Sequence, residues 1–186
     1  YQYMTQLGSN VNRGSYARAY QVEETVYETR QLLCALFGVA GDKNIATAAN
    51  AAVAKNVVFT KNVTESLNIL LKGLLKPGDH VLVSSMEHNA VMRPLQQLTR
   101  QGVTCSRIPC DEKGQLLCES LDGLLTEKTR AVVMTHASNV CGTVLPIAKV
   151  GEFCRKHNLR FIVDTAQTAG CLPIDMEQMN IDALAF

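Results

Sequence analysis

From Asn56 onward, short apolar runs alternate with helix-length amphipathic stretches, and this rhythm restricts the chain to few architectures. Val57-Val58-Phe59, Val81-Leu82-Val83, Val103–Ile108, Ala131–Met134, Arg160–Val163 and Ala183–Phe186 read as strands. Between them, Glu65–Leu75, Ala90–Arg100, Cys118–Leu124 and Ile147–His157 read as helices. Lys76-Pro77-Gly78-Asp79 and Gly102 supply stops. Short strands separated by helices are βαβ units, and such units build parallel sheets. The predicted class is therefore α/β, a mainly parallel sheet flanked by helices.

Upstream, Tyr16, Ala19, Tyr20, Val22, Val26, Leu33, Leu36 and Phe37 recur at mostly helical spacing across residues 15–37, with charged side chains on the other side. Ser15 as N-cap and Gly38 as C-terminal stop complete that helix. Residues 41–55 are Ala-rich, nearly uncharged, and bracketed by the similar triplets Lys43-Asn44-Ile45 and Lys55-Asn56-Val57. They read as a short duplication or insertion, a loop or extra helical turn with no function attached. Residues 1–55 are thus expected to form an N-terminal helical segment with an Ala-rich loop, and residues 56–186 an α/β large domain, incomplete at its C-terminus. The opening Tyr1-Gln2-Tyr3 and the strand-like close Asp182-Ala-Leu-Ala-Phe186 point to a piece of a longer protein.

Composition narrows the function classes. Of 186 residues, 47% are hydrophobic and 19% charged, with net charge +1, which argues for a globular chain and against disorder. No basic excess points to nucleic acid, and no apolar run reaches the roughly 18 residues of a membrane span. Seven cysteines without a Cys-x-x-Cys pair fit reduced thiols in a cytoplasmic protein, most of them buried as small hydrophobes.

Open parallel sheets bind ligands beyond the carboxyl ends of their strands. Four such ends lead into polar loops: Thr60–Glu65, Ser84–Asn89, Thr135–Thr143 and Asp164–Thr168. The first lacks the glycines of a P-loop or a dinucleotide turn. It offers either a phosphate site, from helix-start N–H groups and the Thr64 hydroxyl, or only an N-cap at Thr64 with Glu65 as a first-turn acid. His88 has no second histidine at metal spacing, so no metal is expected; it is either a structural loop histidine or a catalytic one. Asp164 is either a helix N-cap or the counterion of a protonated ring nitrogen, with Gln167 adding an amide on the same side of the turn. Asn139 is either a turn residue beside Gly142 or a donor to a ring substituent. His136 and His157 read as structural.

These same blocks carry a resemblance. Thr60-Lys-Asn-Val-Thr64-Glu-Ser-Leu-Asn68, Met86-Glu-His88-Asn-Ala90, His136-Ala-Ser-Asn139-Val-Cys-Gly-Thr143 and Val163-Asp164-Thr-Ala-Gln167-Thr168 resemble the class V aminotransferase family. Within it they are similar to the cysteine desulfurase/selenocysteine lyase branch, as is the early Arg13-Gly-Ser…Val26-Tyr-Glu-Thr-Arg30 stretch. The likeness runs from about residue 12 to 186, apart from the Ala-rich segment.

The resemblance implies most of the large domain of a fold type I pyridoxal-phosphate enzyme. It assigns the phosphate to Thr64 and the Val63 N–H. His88 stacks on the ring and shuttles protons, Asn139 contacts the ring oxygen and the substrate carboxylate, Asp164 pairs with the pyridinium, and Gln167 also bonds the phenolic oxygen. The implied reaction takes sulfur from L-cysteine, leaving L-alanine and an enzyme persulfide that supplies iron–sulfur clusters or another sulfur-acceptor protein. A homodimer follows from the same resemblance. The family's Schiff-base lysine belongs to a Ser/Thr-x-His-Lys block beyond a strand like Ala183–Phe186; Lys61 and Lys149 sit in other blocks, and no cysteine here matches the nucleophile, Cys141 being nearest the cofactor. The 186 residues alone are expected to be inactive. The alternatives are a selenocysteine lyase or other class V aminotransferase, and a non-catalytic truncated relic.

Overall fold

The computed structural model describes residues 1, 3–11, 14–39 and 53–186. Arg13 and most of the Ala-rich stretch with its near-repeat lie outside the described residues. The chain divides into two compact units, Tyr1–Phe59 and Thr60–Phe186.

In the first unit a single π-turn at Tyr3–Leu7 precedes helix α1, Ala17–Leu36. The helix starts after Tyr16, which has no side-chain cap bond, so Ser15 is not its N-cap. Within it Ala19, Val22 and Cys34 are buried, whereas Tyr20 and Leu36 of the expected apolar face are exposed. Its end is as expected: Gly38 takes φ +65°, and the Val39 N–H reaches back to the Cys34 carbonyl at 2.9 Å. Val57-Val58-Phe59 is not a strand. Val58 and Phe59 are 71% and 52% exposed, and the Phe59 ring lies under the Arg30 guanidinium at 5.5 Å instead of pairing in a sheet.

The second unit is built on five parallel strands: β1 His80–Ser84, β2 Thr104–Ile108, β3 Thr129–Thr135, β4 Arg160–Asp164 and β5 Ala183–Ala185. Their spatial order is β2-β1-β3-β4-β5. Helices α2 (Val63–Leu74), α3 (Asn89–Thr99) and α4 (Ile147–Lys156) complete it. The expected helix at Cys118–Leu124 is instead two 3₁₀ turns, Cys118–Ser120 and Asp122–Leu124. Each is too short for α-helical i to i−4 bonding, and Gly123 adds backbone entropy there.

Leu67 and Leu71 of α2 and Val91, Leu95 and Leu98 of α3 join Val81, Val83, Ala131, Val133, Ile162 and Ala185 in one core. Leu82, Val132, Phe161 and Val163 alternate to the other face of the sheet, where α4 packs on β3 and β4 through Val150 and Cys154. Both faces are covered, which is why the strands read as continuous apolar runs. Each fully buried aliphatic side chain contributes about 1.5–3 kcal/mol. At the amino edge of the sheet, buried His80 lies between the hydroxyls of Thr129 (2.8 Å) and Ser106 (2.9 Å), joining three adjacent strands, and burial lowers its pKa.

Parallel strands share one carboxyl edge. The exits of β1, β3 and β4 therefore open on the same side, with Thr135 and Asp164 paired in register as the last residues of β3 and β4. Helix α2 packs against the sheet and runs back toward the amino end of β1, which leaves its own N-terminus toward that carboxyl edge.

Candidate functional site

The first component is a helix start. Asn62, not Thr64, is the N-cap of α2: it is extended (φ −171°, ψ 169°), and its side chain accepts from the Glu65 N–H at 2.9 Å. Glu65 reaches back to the Lys61 N–H at 2.7 Å, so the two side chains satisfy donors reciprocally. This frees Thr64. Its hydroxyl is exposed and makes no hydrogen bond, and the N–H groups of Val63 and Thr64 donate to no partner among the described residues. Free N–H groups and the positive end of the helix dipole suit an anion. Asn62→Ala should cost about 1 kcal/mol of stability, read in a denaturant titration, whereas Thr64→Ala should change it by less than about 0.5 kcal/mol.

The second component follows β1. His88 is the N-cap of α3, with Nδ1 accepting from the Ala90 N–H at 3.1 Å and its carbonyl accepting from Val91 and Met92. With Nδ1 engaged as acceptor, the neutral ring carries its proton on Nε2. The imidazole thus presents one face and one N–H in a fixed setting, while the residue itself stays exposed.

Asp164 ends β4 and is buried. Oδ1 accepts the Ala166 N–H at 3.0 Å; Oδ2 has no hydrogen-bond partner among the described residues. Asp164 is thus the cap-like turn residue of the first alternative and also holds a free oxygen for the second. Burial pushes its carboxyl pKa up, opposed by the Ala166 bond and by charge attraction to His88. A buried carboxylate with one bare oxygen calls for a cationic donor.

Asn139 stands exposed on a tight turn in which the Gly142 N–H bonds the Ser138 carbonyl at 3.0 Å, and the Ser138 N–H bonds the Thr143 carbonyl at 3.0 Å. Gly142 is required there: its φ is +71°. Gln167 stands exposed on the turn after Asp164. Neither makes a side-chain hydrogen bond among the described residues, and no direct contact joins Thr64, Asn139 or Gln167 to Asp164 there. The carboxyl edge is shared, but the expected four strand ends are three, since the Thr60–Glu65 loop follows no strand.

Two residues hold this edge together: His136, which the sequence reads as structural, and Glu87, which sequence reading passed over. His136 bonds Thr168 through Nδ1 at 2.9 Å, and its N–H bonds the Asp164 carbonyl at 2.8 Å, tying the Asn139 turn to the Gln167 turn. Glu87 joins Ser84 to Thr135. The position of Glu87, one residue from His88 after an apolar strand, was a usable signal. The cysteines also depart from expectation. Only Cys34 and Cys154 are buried, and Cys141 is exposed, its thiol lowered to about 7 by hydrogen bonds with Ser138 and Thr143.

The Aminotransferase class-V family profile matches residues 1–186. The chain belongs to the class V aminotransferase family. The cysteine desulfurase IscS of Vibrio campbellii is 33% identical over 191 residues, covering 100% of this chain and 44% of that protein. An apo cysteine desulfurase from Thermococcus onnurineus NA1 superposes with TM-score 0.80 at 27% identity, covering 98% of this chain and 43% of that one. SspA, solved in complex with cysteine, superposes with TM-score 0.83 at 24% identity, covering 99% of this chain and 51% of that one, a likeness of fold alone. The chain spans less than half the length of the Vibrio relative. The class V family and its cysteine desulfurases are pyridoxal-phosphate enzymes, and the residues present fit that cofactor. An exposed helix start suits its phosphate, and the bare Oδ2 of Asp164 suits its ring nitrogen.

Proposed function

We propose that the intact protein is a pyridoxal-phosphate-dependent cysteine desulfurase that takes sulfur from L-cysteine, leaves L-alanine, and carries the sulfur as a persulfide on an enzyme thiol. One observation carries this reading: Asp164, buried at the end of β4, keeps one carboxylate oxygen without a hydrogen-bond partner among the described residues. The relatives named above add support from similarity.

When bound, pyridoxal phosphate supplies an electron sink for the substrate's α-carbon. Asp164 would hold the ring nitrogen's proton through Oδ2. Val63 and Thr64 would bind the phosphate by their N–H groups, with the Thr64 hydroxyl as an additional donor. His88, its Nδ1 tied to Ala90, would stack on the ring and present Nε2 to receive or return a proton. Asn139 and Gln167, both exposed and unengaged, would reach the ring oxygen, Asn139 also orienting the substrate carboxylate. The lysine that anchors the cofactor and the sulfur-accepting cysteine have no family match among these residues, so the proposal concerns the intact protein. A homodimer, a sulfur-acceptor protein and a cytoplasmic location belong to the same proposal; the seven unpaired cysteines support a reducing compartment.

The test is stoichiometric binding of pyridoxal phosphate to the intact protein, followed by L-alanine formation from L-cysteine. Binding without alanine from L-cysteine, but with alanine from L-selenocysteine, moves the assignment to a selenocysteine lyase. Absence of both binding and turnover leaves a non-catalytic relic.

A further inference from the structure

Glu87 lies between the end of β1 and His88. Its Oε1 accepts two donors, the Ser84 hydroxyl at the end of β1 and the Thr135 N–H at the end of β3, the latter at 2.8 Å. Oε2 is buried and has no hydrogen-bond partner among the described residues. One oxygen thus staples two neighbouring strand ends, and the next residue along the chain is the N-cap histidine of α3. Ser84 also accepts the Met86 N–H at 3.2 Å, so the turn from Ser84 to His88 is folded around this carboxyl.

We propose that Glu87 is a positioning residue of the site: its carboxyl clamps the turn that carries His88 to the end of β3, and so sets the imidazole relative to Asp164. The clamp stands on these contacts alone; its purpose, placing a ring stacker, rests on the cofactor assignment above. The bare Oε2 is accounted for by the neutral acid. Burial, with a smaller repulsion from Asp164, pushes the Glu87 carboxyl up to about 8 against the pull of its two donors. The proton then sits on Oε2, because Oε1 already accepts twice. In that form Glu87 ties the strands without placing a second negative charge beside Asp164.

Burial chiefly sets the pH dependence, alongside the groups that interact with Glu87. They are Asp164 from β4, Cys105 on β2 and Cys110 just beyond β2, with the Thr135 amide from β3. A carboxyl whose folded pKa is raised contributes stability that is full below the ordinary carboxylate range. That stability is lost as pH rises toward and through about 8. Above that value a bare, charged Oε2 would need water, and the clamp would loosen. A glutamine side chain cannot ionise, and its amide oxygen can accept the same two donors. Glu87→Gln should therefore keep the clamp and abolish the alkaline step.

The experiment follows the His88 ring by proton–nitrogen NMR in the intact, cofactor-free protein, with His88→Gln assigning the signal, alongside pyridoxal-phosphate titrations. In the wild type the neutral ring should hold the Nε2–H tautomer, and its signal should shift in a step near pH 8. Glu87→Gln should keep the tautomer and lack the step. Glu87→Ala should lose the fixed tautomer at every pH and bind pyridoxal phosphate at least about 10-fold more weakly. An unchanged His88 spectrum in Glu87→Ala, or a persisting step in Glu87→Gln, overturns the proposal. If Glu87→Ala does not fold, the step in Glu87→Gln decides. If the ring responds as expected while the wild type binds no pyridoxal phosphate, the clamp stands and the cofactor assignment falls.

Discussion

Asp164→Ala in the intact protein should lower turnover at least about 100-fold while leaving the folded state nearly as stable as before. The two effects separate because Asp164 is a poor stabiliser. It is buried and its pKa is raised chiefly by that burial. A raised folded pKa means its contribution to stability is full below the ordinary carboxylate range and is lost as pH rises through the folded value. Wherever the carboxyl is ionised, its unpaired charge is a burden on the cofactor-free protein. Asp164→Asn sharpens the test, because the amide oxygen can still accept the Ala166 N–H now bonded at 3.0 Å. Its Tm without cofactor should equal or exceed that of the wild type, while cofactor binding and turnover fall. Undiminished turnover in either variant would refute the pyridinium role.

The second large effect concerns packing remote from that chemistry. Gly151 is buried inside α4, and a Cβ built there would lie 1.8 Å from the Met179 carbonyl oxygen and 2.9 Å from its carbon. No flexible side chain is available to move aside; the obstacle is backbone. That stretch is itself pinned, with the Ile181 N–H on the Met176 carbonyl at 2.8 Å and the Asn180 amide oxygen accepting from Arg155 at 3.3 Å, before it enters β5. Gly151→Ala should therefore cost about 3 kcal/mol and lower Tm by several degrees, despite the better helix propensity of alanine. Gly73→Ala in α2 is the matched control: its Cβ would meet nothing within 4 Å, so propensity alone acts and stability should rise by up to about 1 kcal/mol. Equal effects from the two substitutions would show that the close approach of Met179 does not matter.

The strand–helix rhythm was legible because burial on both faces leaves a continuous apolar signal, as in Val81-Leu82-Val83 and Phe161-Ile162-Val163. Val57-Val58-Phe59 carries the same signal without being a strand, since an apolar run becomes a strand only when another strand's N–H and C=O groups lie alongside. Thr64 read equally well as cap or ligand, and the cap proved to be Asn62, two residues earlier. Spacing cannot rank two neighbouring oxygens that differ only in which one the backbone turns toward the helix start. Glu87 was hidden for a related reason: its partner Thr135 is 48 positions away.

By itself the order of residues determined the parallel α/β class, the polar blocks at the strand exits and the family, because local pattern and block spacing suffice for these. Only the tertiary structure decided which oxygen of Asp164 is left bare, which nitrogen of His88 carries its proton, and that Glu87 staples β1 to β3. Those outcomes depend on through-space neighbours and on the exclusion of water, neither of which linear sequence encodes.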